Sequence, residues 1–156
     1  MTEERSLHLP LEGHCRCGQV RLRITAMPLV TMACHCTGCQ KMTSGPYSLS
    51  VAIPADGFAV TQGETVIGGL RSEGLNHHFC PDCMTWMFTR IDGLPQFVNV
   101  RPTMLDDTAW FRPFIETFTS EKLPFAETGA VRSYERFPPM EDFGALIQAY
   151  QATLTA

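Results

Sequence analysis

Nowhere do the 156 residues approach the run of about 18 uninterrupted apolar positions that a membrane-spanning helix requires, so no span of that kind is expected. Excess basic charge is missing too: 12 Lys and Arg face 16 Asp and Glu, giving a formal net charge of -4 and a pI near 5.7. Such a chain projects no broad electropositive field toward a phosphate backbone, and nucleic acid is not an expected partner. The short basic cluster Arg16, Arg21 and Arg23 reads instead as the wet face of a strand. The segment from Met1 to Pro10 has acids at Glu3 and Glu4 and no apolar run behind Arg5, which is not the pattern of a secretion signal. A cytoplasmic, reducing setting follows as the expectation, and structural disulfides are rare there. Internal repeats and low-complexity tracts are also lacking. With 44% hydrophobic and 18% charged residues the chain can build a packed core, and its length suits one domain over residues 1–156.

Long helical patterns are scarce. Twelve glycines and 11 prolines are distributed throughout, leaving intervals that are mostly strand-length. Gln19 to Thr25 alternates, with Val20, Leu22 and Ile24 on one face and Arg21 and Arg23 on the other, as a half-buried strand does. Tyr47 to Ile53, Phe58 to Thr61, His77 to Cys80, Thr85 to Thr89, Phe97 to Val100 and Phe114 to Phe118 are further strand candidates. Glu141 to Leu154 reads as a helix, because Phe143, Leu146, Ile147, Tyr150 and Leu154 recur at helical spacing behind Pro138 and Pro139. That stripe is expected to pack on a sheet. The fold class is therefore mainly β with one C-terminal helix.

Isolated cysteines are absent as well. The seven fall into three groups: Cys15 and Cys17 as C-x-C, Cys34, Cys36 and Cys39 as C-x-C-x-x-C, and Cys80 and Cys83 as C-x-x-C. Scattered core thiols would not cluster in this way. Disulfides fit poorly, since residues i and i+2 of an extended segment lie about 6.6 Å apart and a disulfide needs Cβ atoms within about 3.8 Å. An odd total also leaves one thiol over.

A tetrahedral ion with metal–sulfur bonds of about 2.3 Å meets no such obstacle. Thiolate-rich sites select zinc or iron–sulfur centres, and without an iron-type spacing zinc is the expected occupant, two ions per chain. Cys34, Cys36 and Cys39 lie within six residues and can wrap one ion, whereas each remaining pair supplies half a tetrahedron. So Cys15 and Cys17 should meet Cys80 and Cys83 in a structural site, closed to solvent, that contributes directly to folding. The other ion then has three protein ligands and a vacant position, the arrangement of a catalytic zinc. A histidine could instead close that position, either His35 or one of His77 and His78, although His35 within C-H-C points away from its neighbours if the segment is extended. His8 and His14 read as surface residues.

Taken together as G-H-C-R-C-G-Q-V, C-H-C-T-G-C-Q-K and F-C-P-D-C, these motifs resemble the glutathione-dependent formaldehyde-activating enzyme family, of the same superfamily as centromere protein V. The resemblance spans about residues 11–100 and takes in Gly13, Gly18, Val20 and Phe79 beside the cysteines. It implies a β-tent of twisted antiparallel sheets stapled by zinc. It implies a structural zinc on Cys15, Cys17, Cys80 and Cys83 and a catalytic zinc on Cys34, Cys36 and Cys39. The implied reaction adds the glutathione thiol to formaldehyde, giving S-(hydroxymethyl)glutathione, a carbon–sulfur lyase reaction in its reverse sense. One position departs: Met84 stands where such proteins commonly carry a glycine after the last cysteine.

The expected partners are therefore a small-molecule thiol and an aldehyde, and exposed strand edges would allow a homodimer. An open three-sulfur zinc can lower the pKa of an incoming thiol and present the thiolate to an aldehyde carbon. Polarising the aldehyde oxygen is the alternative, less suited to an ion whose acidity three thiolates have blunted. Lys41 could offset that negative charge or meet a carboxylate, and Ser44 and Tyr47 are candidate hydrogen-bond donors on the same loop. Two rival readings are a non-catalytic zinc-stapled binding module and redox sensing by the clustered thiols.

Overall fold

A computed structural model describes residues 6–70 and 74–154; the acidic segment at Glu3 and Glu4 lies outside these residues. The elements in chain order are β1 (Leu11–His14), β2 (Arg21–Ile24), β3 (Val30–Cys34), α1 (Thr37–Thr43), β4 (Ser48–Pro54), β5 (Phe58–Gln62), β6 (Val66–Gly68), β7 (Leu75–Phe79), β8 (Trp86–Ile91), β9 (Phe97–Val100), β10 (Ile115–Thr117), β11 (Arg132–Ser133) and α2 (Phe143–Gln151). Strands β1, β2 and β5 form a three-stranded sheet, and the other eight form a second sheet in the order β11-β10-β3-β4-β9-β8-β7-β6. Pairing is antiparallel except at one side of the larger sheet, where β10 runs parallel to both β3 and β11. The mainly-β architecture with a C-terminal helix expected from the sequence is present. Among the described residues no helix is long and apolar enough to cross a membrane.

Each strand candidate coincides with a strand, and most of the elements that escaped that reading have an identifiable reason. Strand β3 is buried along almost its whole length, wedged between β4 and β10, so its residues carry no polar face to alternate with. Strands β6 and β11 are two or three residues long at opposite ends of the sheet. Helix α1 buries no residue fully, so it has no apolar stripe to betray it. Arg21 and Arg23 are on the exposed face of β2, Arg16 is exposed in the turn before it, and Arg23 pairs with Glu12. The basic cluster is a solvated surface.

Two cores follow from the two sheets. In the larger, Leu11, Leu22, Ile24 and Phe58 of the small sheet pack against Val51, Ile53, Phe88, Val98 and Val100 of the large one. Cys15 and Cys80 belong to this same buried cluster. In the smaller core α2 lies on β3, with Leu146 and Tyr150 buried against Val30, Met32, Phe114 and Ile115. The predicted helical stripe is thus a packing face, and the helix is shorter than the periodicity indicates because residues Met140–Asp142 form a 3₁₀ turn ahead of it.

Gly13 holds the small sheet close to Leu105, at the end of the 3₁₀ turn Pro102–Met104. A Cβ at Gly13 would lie 2.8 Å from the Met104 carbonyl oxygen and 3.1 Å from the Leu105 Cα, both backbone atoms. The bridge between Gly13 and Leu105 needs that proximity. Gly13→Ala is therefore expected to destabilise the protein by about 1–3 kcal/mol, the usual cost of overpacking, measured by denaturant unfolding of the metal-loaded protein. An unchanged midpoint would show that the approach is not a constraint.

Candidate metal centres

Both outer cysteine pairs sit at hairpin tips. Cys15 and Cys17 fall in the turn between β1 and β2, and Cys80 and Cys83 in the turn between β7 and β8, so one pair comes from each sheet. All four Sγ atoms lie within 4.8 Å of one another. The Cys15–Cys17 and Cys17–Cys80 sulfur separations are 3.5 Å and 3.7 Å, close to the edge of about 3.8 Å that a sulfur tetrahedron with bonds of about 2.3 Å would have. The Val20 N–H donates to the Cys15 sulfur at 3.3 Å. The tips are also joined directly, by the Arg16 N–H donating to the Thr85 hydroxyl at 3.1 Å. Cys15 and Cys80 are fully buried, but Cys17 is exposed, so the cluster is less closed to solvent than expected. Hairpin tips end at the rim of a sheet, and one edge of the sulfur cluster faces out.

The two turns reverse the chain by the same device. Gly18 follows Cys17 at a φ of +81°, and Met84 follows Cys83 at a φ of +58°. The Gly18 N–H donates to the Cys15 carbonyl, and the Met84 N–H to the Cys80 carbonyl, each at 3.0 Å. Met84 thus holds, with its side chain exposed, the left-handed conformation that glycine adopts without cost.

Cys34, Cys36 and Cys39 form the second cluster, their Sγ atoms also within 4.8 Å. Cys34 ends β3, Cys36 caps α1, and Cys39 lies in the first turn of that helix. The Cys36 sulfur accepts the Cys39 N–H at 3.3 Å, which replaces one of the hydrogen bonds that a helix start leaves unmade. Strand register supplies the surroundings: Cys34 is paired with Ser48 of β4 on one side and Thr117 of β10 on the other. A hydrogen bond from the Cys39 thiol, helped by the Thr117 hydroxyl and the Cys36 N–H, draws Cys34 down to about 5 despite burial. Cys39 is raised by the same shared proton, by burial and by the Cys34 charge, while burial chiefly raises Cys36. Protons are thus shared unequally among sulfurs that crowd one another. All three cysteines are partly exposed.

No histidine joins this cluster among the described residues. His35 is fully buried on the other side of the segment, where its Nε2–H donates to Glu116 at 2.9 Å. Glu116 also accepts from the Thr128 and Ser133 hydroxyls, each at 2.7 Å. Its carboxyl sits at about 2, held there by Ser133, His35 and Thr128 against the cost of burial. The pair anchors the Cys34–Cys36 turn to β10. His78 is stacked on Phe88 and bonded to Thr65, and His77 is bonded to Thr89. His8 is exposed, and His14 is half-buried beside Asp106. Lys41 and Ser44 are exposed on one side of α1, and Tyr47 is half-buried with its ring edge toward His35.

Sequence reasoning missed Arg101, Glu116, Thr117 and Ser48. Arg101 follows β9, stacks its guanidinium over Trp86 at 3.8 Å and donates to the Leu49 carbonyl at 3.0 Å. Burial lowers it to about 10, and the negative charge of Cys39 and Cys34 acts in the opposite direction. No local pattern in the sequence connects these four residues to the cysteines; β-strand register does.

With both clusters defined, comparison with known proteins becomes informative. The family profile described as glutathione-dependent formaldehyde-activating enzyme matches residues 10–121. The chain belongs to this family. The match passes Val100 and takes in β10 with Glu116 and Thr117, beyond the span that motifs alone indicate. A protein of Halomonas elongata, provisionally named as a glutathione-dependent formaldehyde-activating enzyme, is 35% identical over 104 residues, covering 62% of this chain and 66% of its own. One of Penicillium rubens with the same provisional name is 26% identical over 117 residues, covering 70% of this chain and 60% of its own. The chain therefore spans less than two thirds of the length of either relative, narrowly so for the first. The crystal structure of a Rhodobacter sphaeroides protein shares the fold, with a TM-score of 0.51, 17% identity and coverage of 61% of this chain and 87% of that one.

The left-handed Met84 generates a stability prediction for this family member. Met84→Gly should raise the melting temperature of the metal-loaded protein by about 2 °C, since an L-residue in this region costs about 1–2 kcal/mol, part of which glycine's unfolded-state freedom offsets. Met84→Ala keeps the Cβ and should not. Equal melting temperatures for the two variants would contradict the strain.

Proposed function

We propose that this chain is a zinc-dependent enzyme of the carbon–sulfur lyase type, adding a glutathione-like thiol to formaldehyde or another small aldehyde. The observation that carries the reading is an asymmetry between the clusters: one offers four sulfurs, the other three and no histidine, with clefts along the helix that bears it. Cys15, Cys17, Cys80 and Cys83 would hold a structural zinc that ties the two sheets. Cys34, Cys36 and Cys39 would hold the reactive one. Both donor sets fit this ion in being all sulfur, each within 4.8 Å, and two separations in the four-sulfur set have tetrahedral spacing. The names borne by the family and its two relatives supply the thiol and the aldehyde.

Zinc bound at the three sulfurs would supply the positive charge that favours the thiolate form of an incoming thiol. The protein's own residues prepare that position. Strand register sets Thr117 and Ser48 beside Cys34, where their hydroxyls favour the thiolate form of the Cys34 and Cys39 sulfurs. The nearby Arg101 cation offsets part of their charge, which keeps a three-thiolate centre able to accept a further anion. The His35–Glu116 pair keeps the Cys34–Cys36 turn in one geometry. In the net reaction a carbon–sulfur bond forms, the carbonyl π bond opens, and the thiol proton ends on the new hydroxyl oxygen.

Thiol addition to formaldehyde also proceeds unaided, so the test is the rate above background. Cys36→Ser is expected to bring that excess down by about 100-fold or more, in the range seen for loss of metal-centred catalysis, while the four-sulfur metal and the fold remain. A folded variant with wild-type turnover would overturn the catalytic assignment, and a wild-type protein with no excess rate would favour the stapled binding module.

A further inference from the structure

Helix α1 separates two clefts. Thr37, Gln40, Lys41 and Ser44 line one of about 470 Å³, and Met42 and Thr43 line another of about 350 Å³ together with Tyr47, Trp86 and Arg101. Cys39, Met42 and Thr43 are spaced i, i+3 and i+4 and so share one helix face. Cys39 therefore lies on the face of α1 that borders the Arg101 cleft, whereas Lys41 belongs to the other cleft.

Arg101 is incompletely matched. Its Nη1 donates to the Leu49 carbonyl at 3.0 Å and its Nη2 to the Thr89 hydroxyl at 3.3 Å, while its buried Nε–H has no partner. A guanidinium carries five N–H donors, so each Nη keeps one uncommitted. No carboxylate pairs with it among the described residues. The Trp86 ring and the neighbouring sulfurs meet part of its charge, but N–H donors of this half-buried cation are left without an acceptor, which is costly.

Neighbouring hydrogen bonds leave Arg101 as the cation of the cleft. The Thr89 oxygen accepts from Arg101 and from the Trp86 Nε1–H at 3.2 Å, which fills both of its lone pairs. Its own hydrogen is then donated to the His77 Nδ1 at 2.8 Å, so that nitrogen is unprotonated and His77 is neutral. Trp86 covers one guanidinium face at 3.8 Å and fixes its plane.

We propose that this cleft seats a carboxylate of the thiol co-substrate, with Arg101 as the group that reads it, so that the protein selects anionic thiols over neutral ones. The proposal rests on the thiol reading above and specifies the class of thiol. A planar guanidinium with one free N–H on each Nη suits a carboxylate's two oxygens. A thiol whose carboxylate is held here would have its sulfur directed along the Cys39 face of α1.

Calorimetry on the zinc-loaded protein separates the two ideas. S-methylglutathione keeps the carboxylates but has no free thiol; 2-mercaptoethanol has the thiol and no carboxylate. Arg101→Gln should weaken S-methylglutathione binding by about tenfold or more, the worth of a charged hydrogen bond, and Arg101→Lys should recover part of it. Equal affinity for wild type and Arg101→Gln, or no binding to wild type, overturns the carboxylate seat. 2-Mercaptoethanol should bind more weakly than either glutathione or S-methylglutathione, and glutathione, which keeps both groups, should bind more tightly than S-methylglutathione; Arg101-dependent binding of those two with equal affinity upholds the seat and removes the thiol reading. Should Arg101→Gln not fold, the dimethyl ester of S-methylglutathione replaces it on the wild-type protein: binding at least about tenfold weaker supports the seat, and equal binding overturns it.

Discussion

Four cysteine sulfurs, two from each sheet, converge to within 4.8 Å at the tips of two hairpins. As thiolates they repel by about 4 kcal/mol per pair at an effective dielectric of about 20; as thiols they give up the charge that a metal needs. A divalent cation would resolve the conflict, and held between the β1–β2 and β7–β8 turns it would act as a cross-link between the sheets. The largest core lies directly beneath, with Cys15 and Cys80 among its fully buried members. Packing of Leu22 and Ile24 against Val51 and Phe88 thus depends on the same contact that joins the sulfurs.

The second cluster lives under a different constraint. Its sulfurs come from one strand end and one helix start, so local chain geometry assembles them without help from a distant hairpin. What distant elements contribute is polarity: Thr117 and Ser48 through strand register, Glu116 through His35, and Arg101 through the end of β9. The first cluster offers four sulfurs, two from each sheet, and with an ion bound would hold the sheets together. The second has three sulfurs and no histidine and is set beside a cation, the donor set proposed above for the reacting centre.

That division also marks what could be read from the sequence. Cysteine spacing is local, so the partition of seven cysteines into four and three was legible in the motifs, as was the amphipathic helix, read over Glu141 to Leu154 and found at Phe143–Gln151. Strands with one wet face were equally plain, β2 with Arg21 and Arg23 above all. Strand β3 was not, because burial on both faces removes the alternation that identifies a strand. Arg101 lies 62 positions from Cys39 in the chain and Glu116 lies 81 from His35; their meeting is a property of β-strand order and register, which no window of sequence contains. The glycine missing after Cys83 was visible as a letter, but its meaning, a left-handed methionine, needed the backbone.

The central claim is that two separate divalent ions are held by seven sulfurs, one by a full set of four and the other by three with a position to spare. X-ray absorption at the zinc edge on quantified, purified protein tests it most directly. The account predicts two zinc equivalents per chain in a sulfur-dominated shell with a minor lighter donor, replaced by sulfur when a thiol is added. One equivalent or none, or a shell that thiol leaves unchanged, would contradict it.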